Sequence, residues 1–403
     1  MIYYVIINHL EKKSKSFLRE VKGMVGIVAE FDPFHNGHAA FVREAKRLTG
    51  QSVAVAVMSG TFTQRGGVAV MGKAARTECA VLGGVDAVFE LPVTFALSPA
   101  ERFAAGAVFL LREIGVTHLA FGSECGDTAL LEKIAAALPG LLPKVRERMK
   151  DGTSFAAARE QLVRASLGEE AGDCLTRPND ILGIEYIKAL NALASGIVPV
   201  AVKRDTDHHG ASSASHVRSL LQNGEDVSAF VPESTAAVLA RESLRFDDGR
   251  LCLAALRRMN AEEIARLPEM REGLENRVVA AAKEDSFASY VRAVACRRYT
   301  EATARRIACY ALLGLTKEDL PAFPPYLRLL GANETGLSLL RGVKEHTKLP
   351  FVTKPADFAD LLFWESRAAD LSDLFAKKIQ MAGQEAKNLP FFTKYLTESE
   401  KKG

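Results

Sequence analysis

The residues best placed to do chemistry are two histidines, His35 and His38, with Gly37 between them. They follow the apolar run 25–29 and precede a helical pattern, so both imidazoles are expected at a helix start and on one face of it. There the unpaired backbone N–H groups and the positive end of the helix dipole favour an anion, and Gly37 lets a phosphate approach closely. Imidazoles so placed can bind α- and β-phosphate oxygens and stabilise departing pyrophosphate. The pattern predicts transfer of a nucleotidyl group.

Two other interpretations of the pair are weaker. Histidines in a turn are often plain surface residues, but the order strand, turn, glycine, helix favours function and resembles the HxGH nucleotidyltransferases and class I synthetases. As zinc ligands the pair supplies only two groups, and no cysteine or carboxylate pair nearby completes a tetrahedral set at a familiar spacing. We therefore predict no metal-binding residues in the protein.

The elements that must hold the histidines alternate along the chain. Strand candidates at 25–29, 53–58, 87–90, 118–121 and 197–202 are separated by helical patterns at 40–48, 74–82, 100–112 and 181–193. Such alternation predicts a Rossmann-like α/β nucleotidyltransferase domain with a parallel sheet. Ligands of these sheets lie beyond the carboxyl ends of the strands, where His35, the 59–60 turn, Gly122 and Arg204 are expected together.

A change of pattern after the turn at 247–249 divides the chain. Helical segments there are separated by proline breaks such as 324–325, without strong strand alternation before the C-terminus. We predict a catalytic domain over 24–245 and a mostly α-helical C-terminal domain over 246–403. Residues 1–23 precede the first strand and are expected to be either a non-native start or a basic extension.

Composition places the chain among globular proteins. Its 403 residues suffice for two domains, and 48% hydrophobic residues suffice for their cores. The six cysteines are scattered without a C-x-x-C pair, which favours free thiols in a reducing compartment. The apolar segment 2–7 is too short to span a membrane, and basic residues follow it rather than precede it. We expect a cytoplasmic protein without a membrane partner.

One group of arginines departs from the balanced charge of the chain, whose formal net charge is +3. It surrounds Tyr299 in a region predicted to be helical, with Glu301 as its opposing charge, and consists of Arg292, Arg297, Arg298, Arg305 and Arg306. Guanidinium groups beside an aromatic ring suit RNA phosphates. A solvated helix face explains the same arginines equally well.

An ordered series of motifs resembles a known family. They lie at 26–38, 58–66, 84–86, 90–92, 121–124, 177–183, 272–277, 298–300 and 326–331. In type and order they are similar to the bacterial tRNA(Met) cytidine acetate ligases, from about Met24 past Leu330. The resemblance implies an enzyme that uses ATP and acetate to acetylate the wobble cytidine of elongator tRNA(Met), giving N(4)-acetylcytidine. It implies an acetyl-adenylate intermediate, release of pyrophosphate and AMP, assistance by Mg²⁺, and no protein partner.

The resemblance also implies the site residues. His35 and His38 are catalytic, and the arginine group binds tRNA. The ATP-binding residues are Val28, Ala29, Glu30, Phe31, Asp32, Pro33, Phe34, His35, Asn36, Gly37, His38, Ala39, Ala40, Phe41, Gly122, Asn179 and Arg204. Gly122 would allow close approach of the nucleoside, Asn179 offers a donor and an acceptor, and Arg204 can fork onto phosphate. A turn glycine, a helix-capping asparagine and a surface arginine are the structural alternatives.

Three further residues are candidate phosphate contacts. Ser215 and Arg218 resemble a second phosphate signature of the wider superfamily, although a helix cap and a solvated arginine explain them too. Lys73 could add positive charge near pyrophosphate, but a lysine at a helix start is usually solvated.

The sequence also departs from the family. Asp32 stands where the family usually has asparagine, and its carboxylate should repel phosphates unless it faces magnesium or solvent. Gly67 replaces a usual acidic residue and Ala74 a usual aromatic one.

Two other functions stay open from the sequence. The first is another HxGH adenylyltransferase, or an acid:amine ligase, acting on a small metabolite without RNA. The second is a non-catalytic RNA-binding protein that would bind tRNA without releasing pyrophosphate from ATP.

Overall fold

A computed structural model describes residues 23–204, 213–271 and 273–393 of the chain. The predicted N-terminal extension lies outside the described residues apart from Gly23. The segment 205–212, which follows Arg204, and Glu272 in the 272–277 motif lie outside them as well.

The described strands form one eight-stranded sheet in the order β5-β4-β1-β2-β3-β6-β7, with β8 paired to β6. The strands are β1 (Met24–Ala29), β2 (Val53–Ser59), β3 (Ala87–Leu91), β4 (His118–Ser123), β5 (Val198–Lys203), β6 (Leu327–Ala332), β7 (Phe351–Val352) and β8 (Phe391–Phe392). Strands β1 to β5 are parallel, which confirms the predicted parallel α/β sheet.

Helices cover both faces of the sheet. Those that alternate with β1 to β5 are α1 (Asn36–Thr49), α2 (Lys73–Leu82), α3 (Val93–Ala96), α4 (Ala100–Ile114), α5 (Thr128–Lys150), α6 (Phe155–Leu167), α7 (Glu169–Cys174) and α8 (Pro178–Ala192). Every residue of β2 is buried: Val55 and Val57 pack into one core, and Ala56 and Met58 into the core on the opposite face. A strand covered on both faces reads as a continuous apolar run, which is why this one was visible in the sequence.

The rest of the chain is mainly helical. Its helices are α9 (Ala214–Asn223), α10 (Glu233–Arg241), α11 (Arg250–Arg258), α12 (Ala261–Ala265), α13 (Leu274–Ala281), α14 (Phe287–Val294), α15 (Glu301–Leu313), α16 (Glu334–His346) and α17 (Phe363–Ser372), with 3-10 turns at Lys317–Asp319, Pro355–Phe358, Asp373–Phe375 and Gln384–Lys387. Helices α11 to α15 enclose a core of their own, which also takes in Phe62 from the loop after β2 and Val93 and Leu97 from the short helix α3 and the residue after it. The helical region therefore packs against the carboxyl edge of the sheet.

The second half of the predicted helical segment also returns to the sheet. Strand β6 lies antiparallel to β3, and all six of its residues are buried. No local pattern in the sequence predicts this strand, because a short run buried on every side shows no alternation of apolar and polar residues. A boundary at residue 245/246 stays a prediction.

None of the described helices is both long and apolar enough to cross a membrane.

Candidate active site

The sheet order creates a crevice where the predicted site residues meet. Strands β2 and β3 lie on one side of β1, and β4 and β5 lie on the other, so the order in which strands are added reverses between β1 and β4 while their direction stays the same. The loop 30–35 leaves β1 at this edge and leads into α1, Gly122 lies near the end of β4, and Arg204 directly follows β5. Arg204 and Arg218 both act electrostatically on His35. The expected convergence of these segments is therefore present.

The two histidines cap helix α1 with their own side chains. His35 is the N-cap residue, and its Nδ1 accepts a hydrogen bond from the Gly37 N–H at 3.0 Å. In return, Nδ1 of His38 accepts from the His35 N–H at 3.3 Å. This is a capping box built from imidazoles in place of the usual hydroxyl and carboxylate. The rings lie 3.8 Å apart between centroids, at 30° to one another.

This arrangement fixes the proton on each ring. Because both Nδ1 atoms accept hydrogen bonds, each neutral imidazole carries its proton on Nε2. Among the hydrogen bonds of the described residues, neither Nε2–H has a protein acceptor. Burial is the main cause that lowers the pKa of His35 to about 4, helped by Arg204 and Arg218. Burial followed by the neighbouring His35 lowers the pKa of His38 well below its usual value. The pair is neutral at pH 7 and offers two N–H donors.

The expectation of free backbone donors at this helix start was wrong. The Asn36 N–H donates to the Phe230 carbonyl at 3.0 Å, and the Gly37 N–H donates to His35. The His38 N–H donates to the His35 carbonyl at 2.9 Å. The N–H groups of the first turn already donate hydrogen bonds to His35 and to the loop at 229–230, so they are not available to a phosphate. Positive character at this point comes from arginines and from the Nε2–H groups.

Arg218 and Asp32 meet beside the histidines. Arg218 Nη1 donates to the Asp32 carbonyl at 2.6 Å and lies 3.6 Å from Asp32 Oδ2, while Nη2 donates to Ser215 Oγ at 3.2 Å. Asp32 Oδ1 accepts from the Val70 N–H at 2.7 Å. Asp32 is buried and faces Arg218 and a backbone amide, so neither magnesium nor solvent is needed to accommodate its carboxylate. The helix cap near here is Ser213, and Ser215 is exposed.

Asn179 and Arg204 are held by a glutamate on the turn after β4. Glu124 Oε1 accepts from Asn179 Nδ2 at 2.6 Å, and Asn179 Oδ1 in turn accepts from Arg204 Nη1 at 3.2 Å. The Arg204 stem passes over Gly122, where a Cβ atom would lie 3.3 Å from Arg204 Cδ. The N-cap of α8 is Arg177, so Asn179 is not the helix cap considered above. The hydrogen bond to Glu124 orients the side-chain amide of Asn179. Glu124 belongs to the 121–124 motif, but the sequence did not indicate this role for it.

Arg76, like Glu124, has a role at the crevice that no motif in the sequence indicated. It is fully buried and donates to the carbonyls of Glu30 at 2.6 Å, Ser59 at 3.0 Å and Gly60. It therefore ties together the carboxyl ends of β1 and β2, where the crevice opens. The feature of the sequence that could have indicated its role is the placement of an arginine among small apolar residues, at 75, 79 and 80, on the inner face of α2.

Some of the remaining residues of the 28–41 stretch are buried and support the histidines, and others lie at the surface. Phe34 is fully buried and packs on Gly83 at the end of α2, while Phe31 and Phe34 both contact the His38 ring, with centroids 5.1 and 5.6 Å away. Pro33 and Ala39 are buried, Val28, Ala29, Gly37 and Phe41 are half-buried, and Asn36 and Ala40 are exposed. Phe31 and Phe34 thus hold the His38 ring.

Lys73 does not join the crevice. It is buried, and its Nζ contacts Glu90 Oε1 at 2.5 Å and Glu385 Oε1. Glu90 and Glu385 neutralise the charge of Lys73 inside the protein. A contact between Lys73 and a phosphate would therefore require these ion pairs to break.

The five predicted RNA-contacting arginines separate into two groups. Arg306 is buried and forms a two-pronged ion pair with Glu269, at 2.6 and 2.7 Å, and donates to the Gln64 carbonyl at 3.2 Å. Arg292, Arg297 and Arg298 are exposed, and Arg305 is half-buried over the Phe287 ring. Arg297 and Arg298 were expected on a helix but lie in a tight turn between α14 and α15. Reciprocal backbone hydrogen bonds between residues 296 and 299 close this turn.

Comparisons with known proteins agree with this geometry. A family model described as HIGH Nucleotidyl Transferase matches residues 23–387. A tRNA(Met) cytidine acetate ligase of Acetivibrio thermocellus is 34% identical over 83% of this chain and 89% of the relative. One of Caldanaerobacter subterraneus is 36% identical over 88% and 94%. A crystal structure of Thermotoga maritima TmcAL bound with alpha-thio ATP superposes with a TM-score of 0.85 and 31% identity, covering 92% of this chain and 99% of the other. The chain belongs to the HIGH nucleotidyl transferases and, among them, to the tRNA(Met) cytidine acetate ligase family.

Proposed function

We propose that the protein is an ATP-dependent ligase that acetylates the wobble cytidine of elongator tRNA(Met) with acetate. The observation that carries this proposal is the neutral histidine pair, whose two Nε2–H groups are left without a protein acceptor by the capping box of α1. The names of the relatives supply the substrates, and the ATP analogue in the Thermotoga maritima structure supports ATP as the nucleotide.

In the first step an acetate oxygen attacks the α-phosphorus of ATP in line with the departing pyrophosphate. The bond to the bridging oxygen breaks, giving acetyl-adenylate and pyrophosphate. His35 and His38 donate to the phosphate oxygens that gain charge, and Arg204 and Arg218 supply positive charge beside them. A neutral imidazole whose Nδ1 accepts from the backbone is suited to this task because its Nε2–H is a fixed hydrogen-bond donor. Asn179, held by Glu124, orients Arg204.

In the second step the exocyclic amine of cytidine attacks the acetyl carbonyl, and AMP leaves. A cytidine amine is a weak nucleophile, so positioning the reacting groups supplies much of the rate. We assign no general base. The target base must be unstacked from the anticodon loop to reach the crevice.

Magnesium stays a prediction, and no step above depends on it. The two carboxylates beside the histidines are already engaged, Glu30 by the Gln64 N–H at 2.6 Å and Asp32 by Val70 and Arg218. They do not form a ready ligand pair, so a magnesium ion here would have to be held by the phosphates and water.

We assign the tRNA backbone to the surface formed by Arg292, Arg297, Arg298 and Arg305. The turn 296–299 projects two adjacent guanidinium groups, and α15 behind it packs on Gly66, where a Cβ atom would lie 2.5 Å from the Arg306 nitrogen. The surface therefore belongs to a region attached to the loop after β2, at the carboxyl edge of the sheet. Arg306 is excluded from it because Glu269 already pairs with its guanidinium group. A cytoplasmic location, where tRNA is modified, remains part of the proposal.

Labelled acetate, ATP and total tRNA test this function in one incubation. The tRNA is digested to nucleosides afterwards, and pyrophosphate is measured in parallel. We expect labelled N(4)-acetylcytidine in elongator tRNA(Met) together with pyrophosphate release. Turnover that needs no RNA would instead indicate a small-metabolite enzyme. Binding of tRNA without release of pyrophosphate would indicate a non-catalytic RNA-binding protein.

A further inference from the structure

The chain holds two pairs of cysteines that lie close to each other. Cys125 and Cys174 form one pair, with their sulfurs within 4.8 Å of each other, and Cys252 and Cys309, which are packed in the same helical core, form the other. Both members of the second pair are buried in the helical core, whereas Cys125 is half-buried on the turn after β4 and Cys174 is buried at the end of α7. An oxidant in solution can therefore reach the first pair through Cys125, and it has no such route to the second.

We propose that Cys125 and Cys174 are a redox-active dithiol that closes to an intramolecular disulfide beside the nucleotide crevice. The oxidant is a peroxide. The Cys125 thiolate attacks a peroxide oxygen and the O–O bond breaks, giving a sulfenic acid and, for hydrogen peroxide, a hydroxide that takes up the proton released by the thiol and leaves as one water. The Cys174 sulfur then attacks the Cys125 sulfur and expels a second water. Two thiols lose two electrons and two protons, and one peroxide is reduced to two waters.

The surroundings of Cys125 favour it as the attacking sulfur. A hydrogen bond from Cys174 is the main cause that lowers the pKa of the Cys125 thiol to about 7, against the opposing effect of burial. The Asp127 N–H adds a donor at 3.5 Å. The same hydrogen bond, followed by burial, raises the pKa of Cys174. Cys125 is thus the more reactive and the more accessible sulfur of the pair, and Cys174 is placed to resolve its sulfenic acid.

A disulfide explains the cluster better than a metal does. Ligand atoms of Cys125, Cys174 and Asp180 lie within 4.8 Å of one another, a separation that also suits a cation. The Asp180 carboxylate, however, already accepts from Ser123 Oγ at 2.5 Å and from the N–H groups of Glu124 and Cys125 at 3.0 to 3.3 Å. A metal would have to take Asp180 from these backbone donors, whereas a disulfide leaves them in place.

Closing the disulfide acts on the residues that hold the nucleotide, an effect that rests on the proposed function. A disulfide brings its sulfurs to about 2.05 Å, so the turn at 123–126 must move toward the end of α7. Glu124 lies on that turn, and its carboxylate accepts from the Asn179 amide and the Asp180 N–H. A displaced Glu124 releases Asn179 and, through it, Arg204. We expect the dissociation constant for ATP to rise about fivefold, the effect of losing one hydrogen bond.

Peroxide treatment of the full-length folded protein, followed by alkylation and mass spectrometry, tests the proposal. Trypsin cuts after Lys133 and Arg164, so Cys125 and Cys174 fall on separate peptides. We expect a cross-linked peptide pair, which separates on reduction, while Cys252 and Cys309 stay reduced and react with the alkylating agent only after denaturation. Absence of the cross-link under conditions that oxidise exposed Cys296 would overturn the proposal. Tight stoichiometric binding of zinc that protects both thiols would overturn it in favour of a metal site.

Two variants complete the experiment. Cys125→Ser alters a half-buried side chain and should fold, lose the cross-link and keep its ATP affinity after peroxide. Cys174→Ser, if it folds, should accumulate a sulfenic acid on Cys125 that a dione reagent traps. ATP binding is measured on reduced and oxidised protein. If the reduced protein does not bind ATP, the proposed function fails, while the mass spectrum still decides on the dithiol.

Discussion

At the scale of single residues, the histidine pair combines a structural role with a chemical one. Each imidazole accepts a hydrogen bond at Nδ1 from a backbone N–H at the start of α1, and its Nε2–H is available to a ligand. The sequence indicated the residue types, their spacing and their place after β1. It could not indicate the capping box, because that depends on the extended backbone of His35, with φ −130° and ψ 174°.

Replacing His35 by asparagine should separate the two roles. Asparagine is a favoured N-cap residue, so its side-chain oxygen can take the Gly37 N–H, but it lacks a donor at the position of Nε2. We expect His35→Asn to keep its thermal stability and to lose acetate-dependent pyrophosphate release by about 100-fold or more, as when one oxyanion donor is removed. His35→Ala is the matched control and should also lose about 1 kcal/mol of stability. Full activity of His35→Asn would show that the Nε2–H donor is not needed.

The low pKa of His35 should make the stability of the protein depend on pH. The folded pKa is about 4 and the unfolded value about 6.5, so the unfolded chain takes up the proton first as pH falls. The contribution is complete above pH 6.5 and is lost as pH falls toward 4, by roughly 1 to 3 kcal/mol for His35. Urea denaturation between these pH values measures it. His35→Asn should flatten this part of the profile, and an unchanged slope would contradict the assignment.

At the scale of secondary structure elements, a buried ionic cluster attaches the C-terminal segments to the sheet. Lys73 of α2 contacts Glu90 of β3, and Arg328 of β6 contacts Glu90 at 2.9 Å and also Glu385. Glu365 of α17 lies beside them and accepts from the Val93 N–H at 2.9 Å. Lys73 appeared from the sequence to be a solvated lysine, since its partner Glu385 lies more than 300 residues further along the chain. Contacts between residues so far apart along the chain produce no local pattern in the sequence from which they could be predicted.

Glu365 and Glu385 should respond to neutralisation in opposite ways. Burial, then repulsion from Glu90, raises the pKa of Glu365 to about 7, so stability is lost as pH rises from about 4.5 through 7. The ion pairs with Lys73 and Arg328 outweigh burial and lower the pKa of Glu385 to about 2, so its contribution is present above about 4.5 and is lost as pH falls through 2. At pH 8 we expect Glu365→Gln to stabilise by about 2 kcal/mol and Glu385→Gln to destabilise by about 3 to 5 kcal/mol. Urea denaturation distinguishes the two variants, and equal effects would contradict this account.

The roles of Arg76 and Glu124 mark the limit of what the sequence could predict. The strands and the order of the motifs followed from local patterns of apolar residues, turns and glycines. Arg76 acts through three carbonyl groups at the ends of β1 and β2, and Glu124 acts through Asn179 of α8. These roles require the sheet to be assembled, because the atoms they join come from separate elements. The motif containing Glu124 was recognisable, but its hydrogen-bonding role was not.

At the scale of the whole molecule, the helical region is joined to the crevice through the loop after β2. Gln64 donates its N–H to Glu30, and its carbonyl accepts from Arg306, which pairs with Glu269. Glu30 follows β1 directly, so this chain of contacts leads from the end of β1 to the helix α15. The arginine turn at 296–299 precedes that helix. The proposed tRNA surface and nucleotide crevice are thus parts of one packed assembly.

Removing the two arginines of the turn should weaken tRNA binding alone. We expect Arg297→Ala combined with Arg298→Ala to lower tRNA affinity and to reduce the slope of log affinity against log salt by about 1.5, corresponding to two lost phosphate contacts. Acetate-dependent pyrophosphate release should stay unchanged. Arg43→Ala combined with Arg47→Ala removes the same charge from the outer face of α1, where both side chains are exposed, and should leave the slope as it is. Filter-binding titrations at several salt concentrations measure this, and equal slopes for both double variants would rule the surface out.

Acetate-dependent exchange of labelled pyrophosphate into ATP, measured without tRNA, tests the central claim most directly. The exchange requires acetyl-adenylate to form and revert in the crevice. We predict exchange by the wild-type protein only when acetate is present, and at least a 100-fold lower rate for His35→Asn at unchanged thermal stability. Exchange that proceeds equally well without acetate, or at the wild-type rate in His35→Asn, would contradict the claim that the histidine pair activates a carboxylic acid.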